Sequence, residues 1–274
     1  MKKIIFIFFS LICFITSSAQ EQDSLKVDSL KRASHKEFAA IRPNQITKVD
    51  GDSAYIKGDY ALAIQIYETI LKSKGVSADI YYNLGNSYYK IDNISKSILN
   101  FERALLLKPG DSDIRHNLEI ARSKTVDKAE PLPEIFIVSW IKALINCMGV
   151  DAWAKCGISL FFLFLIALYL FIFTKRIFIK KLGFVLSIIL LVFVFTVNIF
   201  ASRQKESLLN RTNAIIIGPS ITVKSTPNES GTNLFILHEG RKVSIKDNSM
   251  REWKEIKLED GNVGWVPANI IEII

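Results

Sequence analysis

Two long apolar runs dominate the pattern of polar and hydrophobic positions. Gly157 to Thr174 and Leu182 to Ala201 contain no charged residue, and neither has a polar face. At a rise of about 1.5 Å per residue, each nearly or fully crosses a hydrocarbon layer of about 30 Å. Inside lipid a backbone must satisfy its own hydrogen bonds, so both runs are predicted transmembrane helices, 157–174 and 182–201. The link between them, TKRIFIKK, gathers Lys175, Arg176, Lys180 and Lys181. A third apolar stretch, Ile135 to Val150, is short and broken by Lys142 and Asn146, with Trp140 and Trp153 beside it. It reads as an interfacial helix, leaving 128–156 as a linker plus that helix. At the start, MKKIIFIFFSLICFITSSAQ has two lysines, a short apolar core and small residues at Ser17-Ser18-Ala19. This predicts a signal peptide over 1–19, followed by a linker or extra helix over 20–43.

Residues 44–127 carry helical periodicity and an internal repeat. Aligning 44–77 with 78–111 brings Gly51 onto Gly85, Ala63 onto Ser97, Tyr67 onto Phe101 and Leu71 onto Leu105. That period and those residue types resemble the tetratricopeptide repeat. The second copy is the better match, through Leu84, Gly85, Tyr88, Phe101, Ala104 and Pro109, and it departs at Ser97, where alanine is usual. In the first copy Asp50 stands for the leucine and Ala54 for the inner aromatic. The expectation is an all-α solenoid of two helix pairs, with Gly58-Asp59 and Asp92-Asn93 in the turns. A capping helix over 112–127 would start at Asp111 or Ser112. The first helix of each pair would line a concave face. Lys48, Asp52, Tyr55, Tyr82, Asn86, Tyr89, Lys90 and His116 are therefore candidates for a partner-binding groove; the alternative is a solvated face whose tyrosines pack locally.

The last 64 residues, 211–274, change period. Short runs at 214–217, 221–224, 234–237, 242–245, 252–257 and 263–266 are separated by clusters such as Gly218-Pro219 and Asp260-Gly261-Asn262. Closely spaced strands of this kind predict a small antiparallel barrel, with Trp253, Ile256, Val263, Trp265 and Val266 in its core. Leu237, Glu239, Gly240, Val243, Trp253, Ile256, Asp260, Gly261, Gly264, Trp265 and Val266 together resemble a bacterial SH3-like domain. The resemblance implies peptide binding, often of the cell wall.

The formal net charge is +8, but its distribution decides its meaning. Residues 44–127 and 211–274 each balance acids against bases. The excess sits in the N-terminal segment and around the apolar runs. A nucleic-acid binder would carry the charge on a folded domain, so nucleic acid is not an expected partner. Cysteines 13, 147 and 156 and histidines 35, 116 and 238 are scattered, without metal-ligand spacing. No nucleotide loop, zinc motif, nucleophile elbow or carboxylate pair beside a histidine is present. The expectation is a protein with no catalytic, metal-binding or cofactor-binding residues, and no cofactor.

The order of these parts, with YYNLGNSYYK and LHEGRKV, resembles the BatE family of Bacteroides aerotolerance operons. The resemblance implies a non-enzymatic component of the bacterial inner membrane. It would act beside Bat-type von Willebrand A proteins and a MoxR-type ATPase, in aerotolerance or envelope stress. A wall-sensing or wall-anchoring protein that contacts peptidoglycan peptides through its SH3-like domain is the alternative. A small transporter or channel subunit fits less well, because Asn198 is the only amide in either run and neither holds an acid or base. A cleaved signal peptide would send the mature chain across the membrane, and short cytoplasmic loops attract Lys and Arg. Together they predict a cytoplasmic 175–181, with Lys175, Arg176, Lys180 and Lys181 as topology determinants and both soluble modules periplasmic.

Overall fold

The computed structural model describes residues 46–128 and 135–274. The expected signal peptide and the 20–43 segment lie outside the described residues.

The first helix pair is a unit of its own, α1 (Lys48–Ile56) and α2 (Tyr60–Lys74). Asp50 has a local role at the position where the repeat pattern has leucine. Its carboxylate accepts from the Thr47 amide and hydroxyl, both at 2.8 Å, and anchors the start of α1. Gly58 turns the chain at φ 76°, and Asp59 caps α2 by accepting from the Leu62 amide at 3.1 Å. The two helices cross where Gly51 meets the Tyr67 ring; a Cβ there would lie 2.4 Å from Cε1.

The second pair, α3 (Ala78–Lys90) and α4 (Ile94–Leu107), repeats these devices. Asp92 takes the left-handed turn at φ 60°, and Asn93 caps α4 by accepting from the Lys96 amide at 3.1 Å. Gly85 meets Phe101, with a Cβ excluded at 2.8 Å. Ser97, the departure from the repeat pattern, is fully buried and its hydroxyl donates to the Gly85 carbonyl at 2.9 Å. The crossing thus keeps a small residue without leaving a buried hydroxyl unpaired. Helix α5 (Ser112–Ser123) is next in the chain, with Asp111 accepting from the Asp113 and Ile114 amides.

Helices α6 (Phe136–Ile145), α7 (Val150–Phe173) and α8 (Ile177–Leu209) lie between the solenoid and the β domain in the chain. Both α7 and α8 are long and apolar enough to cross a membrane. They pack together as an antiparallel hairpin. Small residues let them approach: a Cβ on Gly183 would lie 2.9 Å from the Ala167 carbonyl oxygen and the Phe171 amide nitrogen. The link is shorter than the charge cluster suggests. Helix α8 begins at Ile177, so Lys180 and Lys181 ride on its first turns and only Thr174 to Arg176 connect the pair. No Gly or Pro breaks 177–181, so the helix runs into the apolar segment without interruption. With 33 residues, α8 is about 50 Å long. Its last turns, past Ala201, stand beyond the apolar span and lead into the β domain.

That domain is one antiparallel sheet: β1 (Asn213–Ile216), β2 (Ser220–Lys224), β3 (Asn233–His238), β4 (Lys242–Asp247), β5 (Trp253–Lys257), β6 (Val263–Pro267) and β7 (Ile271–Ile273). Its order is β3-β2-β6-β5-β4-β1-β7. The connections force it to curl. In a flat sheet β1 and β2 would stand four spacings apart, roughly 19 Å. The link from Ile216 to Ser220 reaches at most roughly 15 Å. The β3–β4 link, His238 to Lys242, has the same reach over the same number of spacings. Ala214, Ile216, Val223, Leu237, Val243, Ile256, Leu258 and Val266 fill the enclosed core.

Three expected core residues lie elsewhere. Trp253 and Trp265 are half-buried, as is Val263. Trp253 pairs with Pro267, Glu255 with Trp265 and Lys257 with Val263, whereas Ile256 pairs with Gly264 and Lys254 with Val266. Directly paired residues share a face, so both tryptophans and Val263 belong to the outer set. The inner set is Ile256, Gly264 and Val266, and β7 is a seventh strand beyond the six runs read from the sequence.

The β domain docks on the second helix pair. Ile98 and Leu99 of α4, with Leu118 and Ala121 of α5, form one buried cluster with Ile215 and Ile274. Strand β1 is therefore covered on both faces, Ala214 and Ile216 inward and Ile215 toward α4. Replacing Gly85 by valine should overpack the α3–α4 crossing and cost about 1–3 kcal/mol. Thermal or denaturant unfolding of the purified chain reads that loss.

Candidate partner-binding surface

On α3, the candidate residues Tyr82, Asn86 and Tyr89 are partly buried and Lys90 is exposed. The tie that organises them comes from α5. Asn117 donates through Nδ2 to Tyr82 Oη at 2.9 Å and to Asn86 Oδ1 at 3.0 Å. The Tyr82 ring leans on Phe101 with centroids 5.9 Å apart. Lys124 places Nζ 4.4 Å from the Tyr89 ring centroid and 3.3 Å from Asp92 Oδ1. Its hydrogen bond to Asp92 raises its pKa above the ordinary lysine value, with the nearby Tyr89 adding to the effect. In the first helix pair, Lys48 bridges Asp52 at 2.7 Å. The other oxygen of Asp52 accepts from Tyr67 Oη at 2.7 Å. Tyr55 packs edge-on against Tyr60 at 5.2 Å.

The structure thus brings Tyr82 and Asn86 together through Asn117, a residue the sequence reading passes over in favour of His116. The helical wheel of α5 explains the difference. Its buried stripe is Ile114, Leu118 and Ala121. Asn117 flanks that stripe, while His116, about 200° round from Ile114, points away from it and is exposed.

The α4 side of the same helix pair is occupied. Ser95 donates to Glu239 at 3.0 Å. Glu102, only 5% exposed, receives Lys242 at 2.8 Å and Arg122 on its other oxygen. Arg103 donates to the Ile273 carbonyl and pairs with Glu272 at 3.1 Å. Just past α5, Asp127 accepts from the His238 amide at 2.6 Å and meets His238 Nδ1 at 2.8 Å. Gly240, at φ 80°, fits against Thr125 and Ile98 where a Cβ would lie 2.7 Å from Thr125 Cγ2. None of the candidate groove residues makes these polar ties.

The basic residues Lys175, Arg176, Lys180 and Lys181 sit at the end of the α7–α8 hairpin opposite the stretch that leads to β1. Cys147 and Cys156 are free thiols. Among the described residues, no three His, Cys, Asp or Glu side chains gather as a metal site.

The tetratricopeptide repeat family model matches residues 78–111. That stretch is the α3–α4 pair with its exit turn, the pair that carries Tyr82, Asn86 and the Gly85–Phe101 crossing. No curated protein matches the chain. A tetratricopeptide repeat supports a protein-interaction role and is typically non-catalytic. If Asn117 organises this face, Asn117→Ala should cost about 1 kcal/mol through its two lost hydrogen bonds. His116→Ala should stay within about 0.5 kcal/mol. Paired melting curves of the two variants test the assignment.

Proposed function

We propose that this protein is a non-enzymatic, membrane-anchored interaction scaffold. The observation that carries this reading is the division of labour on the second helix pair. The α4 side holds the β domain, while the α3–α5 side presents tyrosines, amides and the exposed Lys90 and His116 without taking part in those polar ties. A partner segment laid along that side would find aromatic surface and hydrogen-bonding groups already fixed in place by Asn117. The α7–α8 hairpin serves as the anchor in the bacterial inner membrane. Its basic link faces the cytoplasm, and the solenoid and β domain face the periplasm. The order of parts supports membership of a Bat-type system, with von Willebrand A proteins and a MoxR-type ATPase as the expected company.

A second reading rests on one specific observation. Trp253, Trp265 and Pro267 lie on the outer face of the β5–β6 ladder, where two half-exposed indoles offer an apolar platform. This favours a contribution from the SH3-like domain to recognition of peptidoglycan peptides, as in a wall-sensing or wall-anchoring protein.

Three experiments test these readings. A reporter active only in the periplasm should work when fused after Ile274 and stay silent when inserted at Phe178; activity at Phe178 would overturn the topology. In co-purification from membranes, Tyr89→Phe combined with Lys90→Glu should lower partner recovery at least severalfold with the melting temperature nearly unchanged. Trp253→Ala combined with Trp265→Ala should instead lower recovery on peptidoglycan. Partner recovery that survives the α3 substitutions would sink the groove reading.

A further inference from the structure

The exit turn of α4, the α6–α7 corner, the end of α8 and the start of β1 converge around a cavity of about 600 Å³. Its walls are held firmly. Trp153 Nε1 donates to the Ile145 carbonyl at 3.0 Å. The Gln204 amide, oriented with its nitrogen toward the corner, reaches the Ile145 and Met148 carbonyls at 2.8 and 3.3 Å. Gly110 presses on the same corner, where a Cβ would lie 2.3 Å from the Cys147 carbonyl oxygen.

The charge of the lining is one-sided. Arg115 and Arg211 both line the cavity, as do Lys242 and Glu102. Glu102 is the only acidic side chain on the wall among the described residues, and it is already taken by Lys242 and Arg122. Arg115 spends one nitrogen on the Pro109 carbonyl at 2.8 Å, leaving the rest of its guanidinium available. Arg211 is exposed. Asn146 and Ser207 add uncharged donors. The cavity therefore suits an anion.

Its depth says which anion. Gln204 and Ser207 lie about 4.5 and 9 Å beyond Ala201 along α8. The headgroup layer of a bilayer extends roughly 5–7 Å beyond the hydrocarbon on each side. Ala143 of α6 lines the cavity as well, and the rest of α6 continues from it as exposed apolar surface, with Trp140 at 68% and Phe136 at 79% exposure. An occupant with an anionic head and hydrocarbon tails would satisfy both regions.

We propose that this cleft binds the phosphate headgroup of an anionic phospholipid, with Arg115 and Arg211 on the phosphate and the acyl chains running down past α6. The site rests on the reading of α7 and α8 as membrane spans. It would seat the second helix pair and the β domain on acidic lipid in the leaflet where α7 begins and α8 ends.

The test uses the full chain. Alkaline carbonate extraction comes first: release of the chain from membranes would overturn the spans and, with them, this site. With the chain retained, protein in detergent micelles is titrated with short-chain phosphatidylglycerol, phosphatidylcholine and inorganic phosphate, and bound lipid is counted by native mass spectrometry. Phosphatidylglycerol should bind saturably at one molecule per chain, and Arg211→Gln should weaken it about fivefold. Ser207→Leu, which narrows the cavity and leaves its charge intact, should also weaken it. Equal binding by wild type and both variants, or by both lipids, would overturn the headgroup site. Inorganic phosphate binding as tightly as phosphatidylglycerol would reassign the cleft to a free anion. Displacement of phosphatidylglycerol by a short polyglutamate peptide at equal concentration would reassign it to an acidic protein segment.

Discussion

Ile98 and Leu99 belong to two cores at once. Within the solenoid they lie on the helix that carries Phe101 against Gly85. Outward, they close against Ile215 and Ile274 of the β domain. That apolar seal is the constraint on which the rest of the arrangement depends, because it makes one body of two modules that belong to different fold classes. The polar ties around it depend on its placement. Glu102 can be nearly buried only because Lys242 arrives from β4 and Arg122 from α5, and a buried carboxylate without such partners would be strongly unfavourable. Of these partners, Lys242 is delivered by the docking itself.

The seal also sets how the body joins the apolar hairpin. Helix α8 leads into β1 through three residues, Asn210 to Thr212. The α6–α7 corner is wedged between Gly110 and Gln204. The β domain therefore stands directly on the end of one apolar helix, while the exit turn of α4 rests on the entry to the other. On the proposed function, this arrangement would hold the α3–α5 face at a defined height above the lipid.

Much of this is legible in the sequence, for identifiable reasons. The repeat period places Gly85 opposite Phe101, and the turn residues mark the helix ends, because steric fit and capping are local. The apolar runs place the hairpin because lipid admits few alternatives. The departures are mostly of parity and face. Trp253 and Ile256 are three apart, so a strand cannot send both inward; strict alternation puts the tryptophans outside with Val263. Counting from the repeat start selects His116 and passes over Asn117, whose ties to Tyr82 and Asn86 depend on its place beside the buried stripe of α5. The docking leaves one trace, the unalternating run AIII at 214–217, which reads as a strand covered on both faces. The run does not name its cover, since the match between β1 and α4 is made by residues more than a hundred positions apart. Strand β7 escapes the sequence reading for a related reason: no turn cluster announces it, and it is defined by its pairing with β1.

The central claim is that the second helix pair, its capping helix and the β domain move as one body. A distance measurement between spin labels tests it most directly. Cysteines introduced at His116 in α5 and at Asn262 in the β5–β6 turn, both exposed, would carry the labels, with the other cysteines replaced by serine. Pulsed dipolar spectroscopy of the full chain should give a single narrow distance distribution, the same in detergent micelles and in lipid discs. It should broaden when Ile98 is replaced by aspartate. A broad distribution in the otherwise unaltered chain, as from a β domain swinging on the end of α8, would contradict the account.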